Sequence, residues 1–453
     1  MKDIYESFVN LNYKPDKDDL IACYRIEPMR GSTMKRAAGA VAAESSDGTW
    51  TKVYGLDYSH VRKLNATVFD IDGPFIKIAY PIENFELGNM PQIYSALAGN
   101  ILGMKAVDNI RLWDIRWPKK LLNSFLGPQY GVSGLRKLFK IKDRPFLSCV
   151  PKPKVGLTSK EHADIAFQVW TGGIDFVKDD ENLTNQSFNK FEDRTKLCMN
   201  QRRKAEKLTG ERKACFLNIT APGKEMRKRL KFIADSGNEY AMIDILTVGW
   251  SALQEIRELA GDYKIALYAH RAFHSAFTRN PKHGVSMLTI AETARIIGVD
   301  NIHVGTGIGK LVGSKKEVFT IHKSIESNHG HFDDNKFEWS KLLQERVGSS
   351  FSSSSKDMHL LSEDWGKIKP VMSSSSGGLH PGLVPDVMEI FGNDVAIQVG
   401  GGIHGHPRGS FAGAIAVRHA VDATLDGISL EEKAKTSNQL KEALDFWGYM
   451  KPK

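Results

Sequence analysis

Two rhythms of apolar and polar positions divide the chain. Up to about residue 127, Leu20–Ile26 and Ile76–Pro81 alternate or run apolar and predict strands. Between them the Ala-rich stretch Met34–Ser45 has helical spacing and few breakers, and Ser95–Val107 is similar. The mixture predicts an N-terminal α+β domain of ferredoxin-like type over residues 1–127.

From about residue 128 a single unit recurs: apolar strand, polar loop, amphipathic helix. The predicted strands are Pro145–Pro151, Gly173–Lys178, Ala214–Thr220, Tyr240–Leu246, Lys264–His270, Asn301–Thr306, Ile368–Ser375 and Val395–Gly400. Amphipathic segments such as Lys160–Thr171 and Leu288–Gly298 separate them. Eight strands alternating with helices predict a C-terminal (β/α)8 TIM barrel over residues 128–453, closed by helices between Leu430 and Trp447. The sixth-to-seventh strand interval is long and holds the Ser-rich run 349–355, which reads as a mobile surface insertion with no catalytic role.

Composition narrows the class. The 453 residues are 41% hydrophobic and 25% charged, ordinary values for a globular protein with a sizeable core. No run approaches the roughly 18 apolar residues of a membrane helix, and Met1-Lys2-Asp3-Ile4-Tyr5-Glu6 lacks the apolar stretch of a secretory signal. Cys23, Cys149, Cys198 and Cys215 are far apart and form no C-x-x-C pair, which fits a reducing cytoplasm. The net charge of +9 permits an anionic partner. Its basic residues are interspersed with acids in segments such as Lys224–Arg229, so solvated helix faces are expected rather than a nucleic-acid surface.

The chemistry gathers at the predicted strand ends, where barrels place their sites. Gly172–Asn182 (GGIDFVKDDEN) runs from an apolar strand into ionisable residues. Strand alternation puts Lys178 and Asp180 on one face and Asp179 on the other, with Glu181 in the following loop. Asp180 and Glu181 offer the oxygen ligands that Mg²⁺ prefers. An ammonium cannot ligate a cation, but a neutral amine that captures CO2 becomes a carbamate and can. Spacing alone favours the plainer reading, an acidic strand end with one neutralising lysine on a solvated loop.

Other strand ends carry Lys152 between Pro151 and Pro153 with Lys154 directly after, His270-Arg271, His303 before Gly305-Thr306-Gly307-Ile308-Gly309-Lys310, Ser376-Gly377-Gly378, and Gly400-Gly401-Gly402. Arg binds phosphate bidentately, and glycines let backbone N–H groups approach an anion closely. A lysine among glycines can be carried over a bound ligand by a moving loop.

These stretches, in this order, resemble the ribulose-1,5-bisphosphate carboxylase/oxygenase (RuBisCO) large subunit over nearly the whole chain, and the archaeal-type form II/III or form III most. The resemblance implies a carbamylated Lys178 that binds Mg²⁺ with Asp180 and Glu181, CO2 being the activator. It implies proton transfer by Lys152, with Lys154 beside it, and by His270. Lys310 is implied to stabilise charge on incoming CO2, and Glu44 to pair with it. Substrate phosphates fall to Arg271, His303, Ser376, Gly377, Gly378, Gly400, Gly401, Thr49 and Trp50, and Asn100 lies near the metal. Glu44-Ser45-Ser46-Asp47-Gly48-Thr49-Trp50 and Gly99-Asn100, otherwise a helix end with a turn and a helix interior, are implied to complete the site of a neighbouring subunit. Further implications are a homodimer with shared active sites that can assemble into larger rings, no small subunit, an oxygenase side reaction with O2, and a role in nucleotide salvage. Val312 stands where many members carry Glu, a departure in the mobile loop. Two other readings are a RuBisCO-like isomerase or enolase without CO2 fixation and a basic binding protein. The first usually lacks several of the residues present here.

Overall fold

The computed structural model describes residues 4–48, 51, 59, 61–308, 314–328 and 359–451. It divides into two compact units. The first comprises Met1–Leu126, Phe273–Ile296 and Ser327–Ile368, and the second Gly127–Ala272, Ile297–Glu326 and Lys369–Lys453. The Ser-rich run 349–355 lies outside the described residues.

In the first unit the chain runs β1 (Leu20–Pro28), α1 (Met34–Glu44), β2 (Thr67–Asp72), β3 (Phe75–Tyr80), α2 (Met90–Ala98) and β4 (Val107–Arg116). Their sheet order, β4-β1-β3-β2, is antiparallel throughout, the ferredoxin-like arrangement. α1 begins because the Thr33 side chain accepts from the Arg36 N–H. The predicted helix Ser95–Val107 is instead split: α2 ends at Ala98, and Asn100–Gly103 forms a short 3-10 turn. Gly99 causes the break, since a Cβ there would lie 2.2 Å from the Ser95 carbonyl oxygen. Asn100 is therefore at a helix exit and not in a helix interior. The periodicity gave no sign of a two-residue strand, β10 (Gly284–Val285), that adds parallel to β4.

The second unit is a closed parallel barrel, as the strand count predicts. Its strands are β5 (Phe146–Cys149), β6 (Phe176–Lys178), β7 (Ala214–Asn218), β8 (Tyr240–Asp244), β9 (Ala266–His270), β11 (Asn301–His303), β12 (Met372–Ser376) and β13 (Val395–Val399). β13 pairs with β5, Ala396 opposite Phe146, and the ring shuts. Several strands are shorter than predicted, for local reasons. Gly173 has φ +102°, Lys264 is left-handed at a helix end, and Pro370 cannot donate to a ladder. Tyr240–Leu246 is cut at Asp244, where a helix over Ile245–Tyr263 begins at once.

The barrel interior is an aromatic stack rather than a pore. Phe176 and Phe216 lie 4.9 Å apart at 23°, Phe216 and Tyr268 4.9 Å apart at 25°. Phe139 closes edge-on against Phe176. All four cysteines are buried and free, and among the described residues no helix is long and apolar enough to cross a membrane. The packed floor leaves the carboxyl ends of the strands as the place where polar side chains converge.

Candidate active site at the carboxyl ends of the barrel strands

β6 delivers Lys178 into this mouth and turns its neighbour away, as alternation requires. Lys178 is fully buried. Its Nζ donates to the Asp179 carbonyl at 2.8 Å, lies 3.9 Å from Glu181 Oε2 and sits 5.7 Å above the centre of the Tyr268 ring. Burial pushes the Lys178 ammonium below its ordinary value, against the pull of Glu181, Asp180, Asp244 and Asp179 toward the charged form. Lys178 thus has the environment of an amine that can become neutral.

Asp180 is equally constrained. Its Oδ2 accepts from Lys152 Nζ at 3.0 Å, and its Oδ1 from the backbone and side chain of Asn182. Burial raises this carboxyl's pKa, but Lys152 and the Asn182 donors outweigh burial and the net shift is downward. Glu181 bridges outward, with Lys154 Nζ 3.9 Å from Oε1 and His270 Nε2 3.6 Å from Oε2. The structure therefore brings Lys152, Lys154, Lys178, Asp180, Glu181 and His270 into one cluster.

Asp244, absent from the sequence-derived set, belongs to the same cluster. It ends β8, its Oδ1 lies 3.5 Å from His270 Nδ1, and Asn218 Nδ2 reaches its Oδ2 at 3.4 Å. Burial lifts its carboxyl to about 6, opposed by Lys178. An acid at the end of Tyr240-Ala241-Met242-Ile243-Asp244 was the available signal, because strand ends carry barrel chemistry.

The anion-binding candidates ring this cluster. His303 is buried and meets the His270 ring edge-on at 5.5 Å. Arg271 is buried, and its Nη2 has no hydrogen-bond partner among the described residues. Burial holds the Arg271 guanidinium down at about 10, partly offset by Glu317. A buried cation with an open donor suits an anionic ligand. Gly377 and Gly378 have φ of +125° and +81°, a backbone path that favours glycine. Gly401 opens a short helix and has nothing within 4 Å of where a Cβ would stand, and Gly400 faces the Lys152 side chain. Ser376 Oγ accepts from the Gln398 side-chain amide, whose Oε1 accepts from the Tyr268 hydroxyl.

Glu44 and Asn100 are exposed in the first unit. Within that unit a buried chain of hydroxyls joins the end of α1 to α2: Ser45 Oγ to Tyr80 at 2.9 Å, Tyr80 to Tyr24 at 3.2 Å, and Tyr24 to the Leu97 carbonyl at 2.9 Å. Thr49, Trp50, Lys310 and Val312 lie outside the described residues.

A closed parallel barrel with lysines, acids, a histidine and glycine turns at its strand ends defines a (β/α)8 enzyme site. The chain belongs to the ribulose bisphosphate carboxylase large-chain family. The family's catalytic-domain model matches residues 131–447, and its N-terminal-domain model matches residues 7–121. The ribulose bisphosphate carboxylase of Pyrococcus abyssi is 47% identical over 99% of this chain and 98% of that protein. That of Methanosarcina barkeri is 46% identical over 97% and 98%. Among solved structures, the dimeric archaeal Rubisco of Hyperthermus butylicus has a TM-score of 0.89 at 45% identity, covering 99% of this chain and all of that one. The octameric enzyme of Pyrococcus horikoshii has 0.86 at 44%, covering 99% and 97%.

Proposed function

We propose that the protein is a ribulose-bisphosphate carboxylase, converting ribulose 1,5-bisphosphate, CO2 and water into two molecules of 3-phosphoglycerate. The observation that carries this reading is the fully buried Lys178, pushed toward neutrality beside Asp180 and Glu181. A neutral amine adds CO2 and loses a proton, becoming a carbamate. Among the described residues no three His, Cys, Asp or Glu side chains are grouped to hold a cation. The carbamate supplies the third oxygen donor, and with Asp180 and Glu181 it would hold Mg²⁺. When bound, Mg²⁺ supplies Lewis-acid polarisation of substrate oxygens.

The chain's own groups do the rest. Lys152, 30% exposed at its side chain and tied to Asp180, is placed to take and return a proton at the reacting carbons. His270, between Glu181 and Asp244, is a second proton carrier whose orientation both acids fix. Arg271, His303 and the glycine turns at 377–378 and 400–401 hold the two phosphates, and so place the sugar between Lys152 and Lys178. Lys310, with Glu44, would stabilise charge on CO2 after enolisation. Thr49 and Trp50 would add phosphate contacts and Asn100 a contact near the metal.

The same reading includes an oxygenase side reaction, a form II/III or form III type, a role in nucleotide salvage, and a homodimer that shares sites without a small subunit. Its test is direct: purified protein, Mg²⁺, labelled CO2 and ribulose bisphosphate should yield labelled phosphoglycerate. Substrate turnover to an unlabelled isomer would instead mark a RuBisCO-like isomerase.

A further inference from the structure

Asp179, between Lys178 and Asp180, points away from the mouth and into a buried polar knot. Its Oδ2 accepts from Arg194 Nε at 3.2 Å, from Arg194 Nη2 at 2.9 Å and from the Asn218 N–H at 2.9 Å. Its Oδ1 lies 3.5 Å from His162 Nε2. Arg194 has no exposed surface. It spends its remaining donors on the loop that follows Glu181: Nη2 to the Thr184 carbonyl at 2.9 Å, and Nη1 to the carbonyl and side chain of Asn189, both at 3.1 Å. Asn189 in turn donates to the Leu157 carbonyl at 3.0 Å and its Oδ1 accepts from Ser159. Leu157 closes the loop that carries Lys152 and Lys154.

One guanidinium therefore ties together both loops whose cations and acids meet at Asp180 and Glu181. We propose that Arg194 is a positioning residue for the activation site: it sets the strand-exit turn so that Lys178, Asp180 and Glu181 face one point, and through Asn189 it sets Lys152. It touches no substrate. A planar fork with several donors in fixed directions suits this task, and an ammonium cannot reproduce it. The inference deepens the carboxylase reading and rests on it.

The competing account is that Arg194 merely holds the barrel together. Arg144 provides the control, because it makes an even closer pair with both carboxylate oxygens of buried Asp175 at the other end of the same strand region, both bonds 2.6 Å. The readout is trapping of ¹³C-labelled CO2 on the intact protein by NMR, titrated with Mg²⁺ and without substrate, in samples shown to be folded by circular dichroism. Orienting partners of metal ligands typically change affinity by about 10–100-fold. Arg194→Lys should thus raise the Mg²⁺ concentration for half-maximal trapping by about tenfold or more, with Arg144→Lys unchanged. Asn189→Ala, which leaves the Asp179 ion pair intact, should shift it in the same direction and decides the matter alone if Arg194→Lys does not fold. Folded Arg194→Lys and Asn189→Ala with wild-type half-saturation would overturn the proposal, as would an equal shift in Arg144→Lys. Wild type that traps no CO2 would end the activation reading itself, and this inference with it.

Discussion

Lys178→Arg keeps a positive charge among the acids but removes the chemistry assigned to the amine. Lysine can lose its proton at this fully buried position because burial lowers its pKa below 10.5. A guanidinium, with pKa above about 12, stays charged and captures no CO2. The sign follows from linkage. Between the depressed folded pKa and 10.5 the unfolded chain binds more protons than the folded one, so stability and the neutral-amine fraction both rise with pH. The bulkier side chain costs about 1–3 kcal/mol of overpacking in a tight site. That is tolerable against a typical stability of about 5–15 kcal/mol, so the variant should fold. Loss of the carbamate oxygen removes a ligand and not just its orienting partner, so Mg²⁺ affinity should fall at least about 100-fold. A hundredfold is about 2.8 kcal/mol. Carboxylation should drop below about 1% of wild type on the same basis. The assay preincubates each protein with or without CO2 and Mg²⁺, then adds substrate briefly. Wild type should lag without preincubation, and lag less at higher pH. An arginine variant with normal activity, or a wild type indifferent to CO2, refutes the carbamate.

Three other perturbations test separate parts. Arg271→Met removes a buried cation with an open donor, so the substrate-free protein should melt higher, while protection by inorganic phosphate should be weaker than in wild type; a variant protected as strongly as wild type contradicts the assignment. His162 has its pKa lowered by burial from 6.5 to about 4, so the unfolded chain takes up the proton first and stability is lost as pH falls through that window. The loss is at most about 3 kcal/mol, and His162→Gln should flatten the corresponding fall in Tm; an unchanged slope counts against a buried neutral imidazole. For the shared site, Glu44→Gln and Lys178→Ala homomers should each be nearly inactive and their co-assembled hybrid partly active; dead hybrids in proven mixed dimers exclude sharing.

The barrel was legible because its strands are buried on both sides and read as apolar runs at regular spacing. Strand boundaries were less so: Gly173, Lys264 and Pro370 end ladders through backbone conformation, which an apolar run does not display. The short strand Gly284–Val285 was invisible, since its existence depends on β4 as a template. In the site, strand alternation correctly placed Lys178 inward and Asp179 away. Asp244 and Arg194 are not legible in the sequence, for different reasons. Asp244 stands alone at a strand end with no motif around it. Arg194 lies in the first turn of the helix Phe191–Thr209, in a sequence indistinguishable from a solvated helix face.

That difference bears on how the site works. A solvated strand end with one neutralising lysine requires water around Lys178, and the structure leaves none of its surface exposed. The acids alone would favour a charged lysine, yet burial dominates, and its pKa goes down. Asp179 is the nearest acid in sequence. By aiming it away from the mouth and pairing it with Arg194, the fold commits one carboxylate to architecture, and Asp179 holds the ammonium less strongly than Glu181, Asp180 or Asp244 does. Asp180 is likewise engaged by Lys152. Glu181 in turn has Lys154 at 3.9 Å, so three of the four acids around Lys178 meet another cation, and the buried lysine can stand among carboxylates and still surrender its proton. The arrangement needs both alternation, which is local, and a distant arginine, which is not.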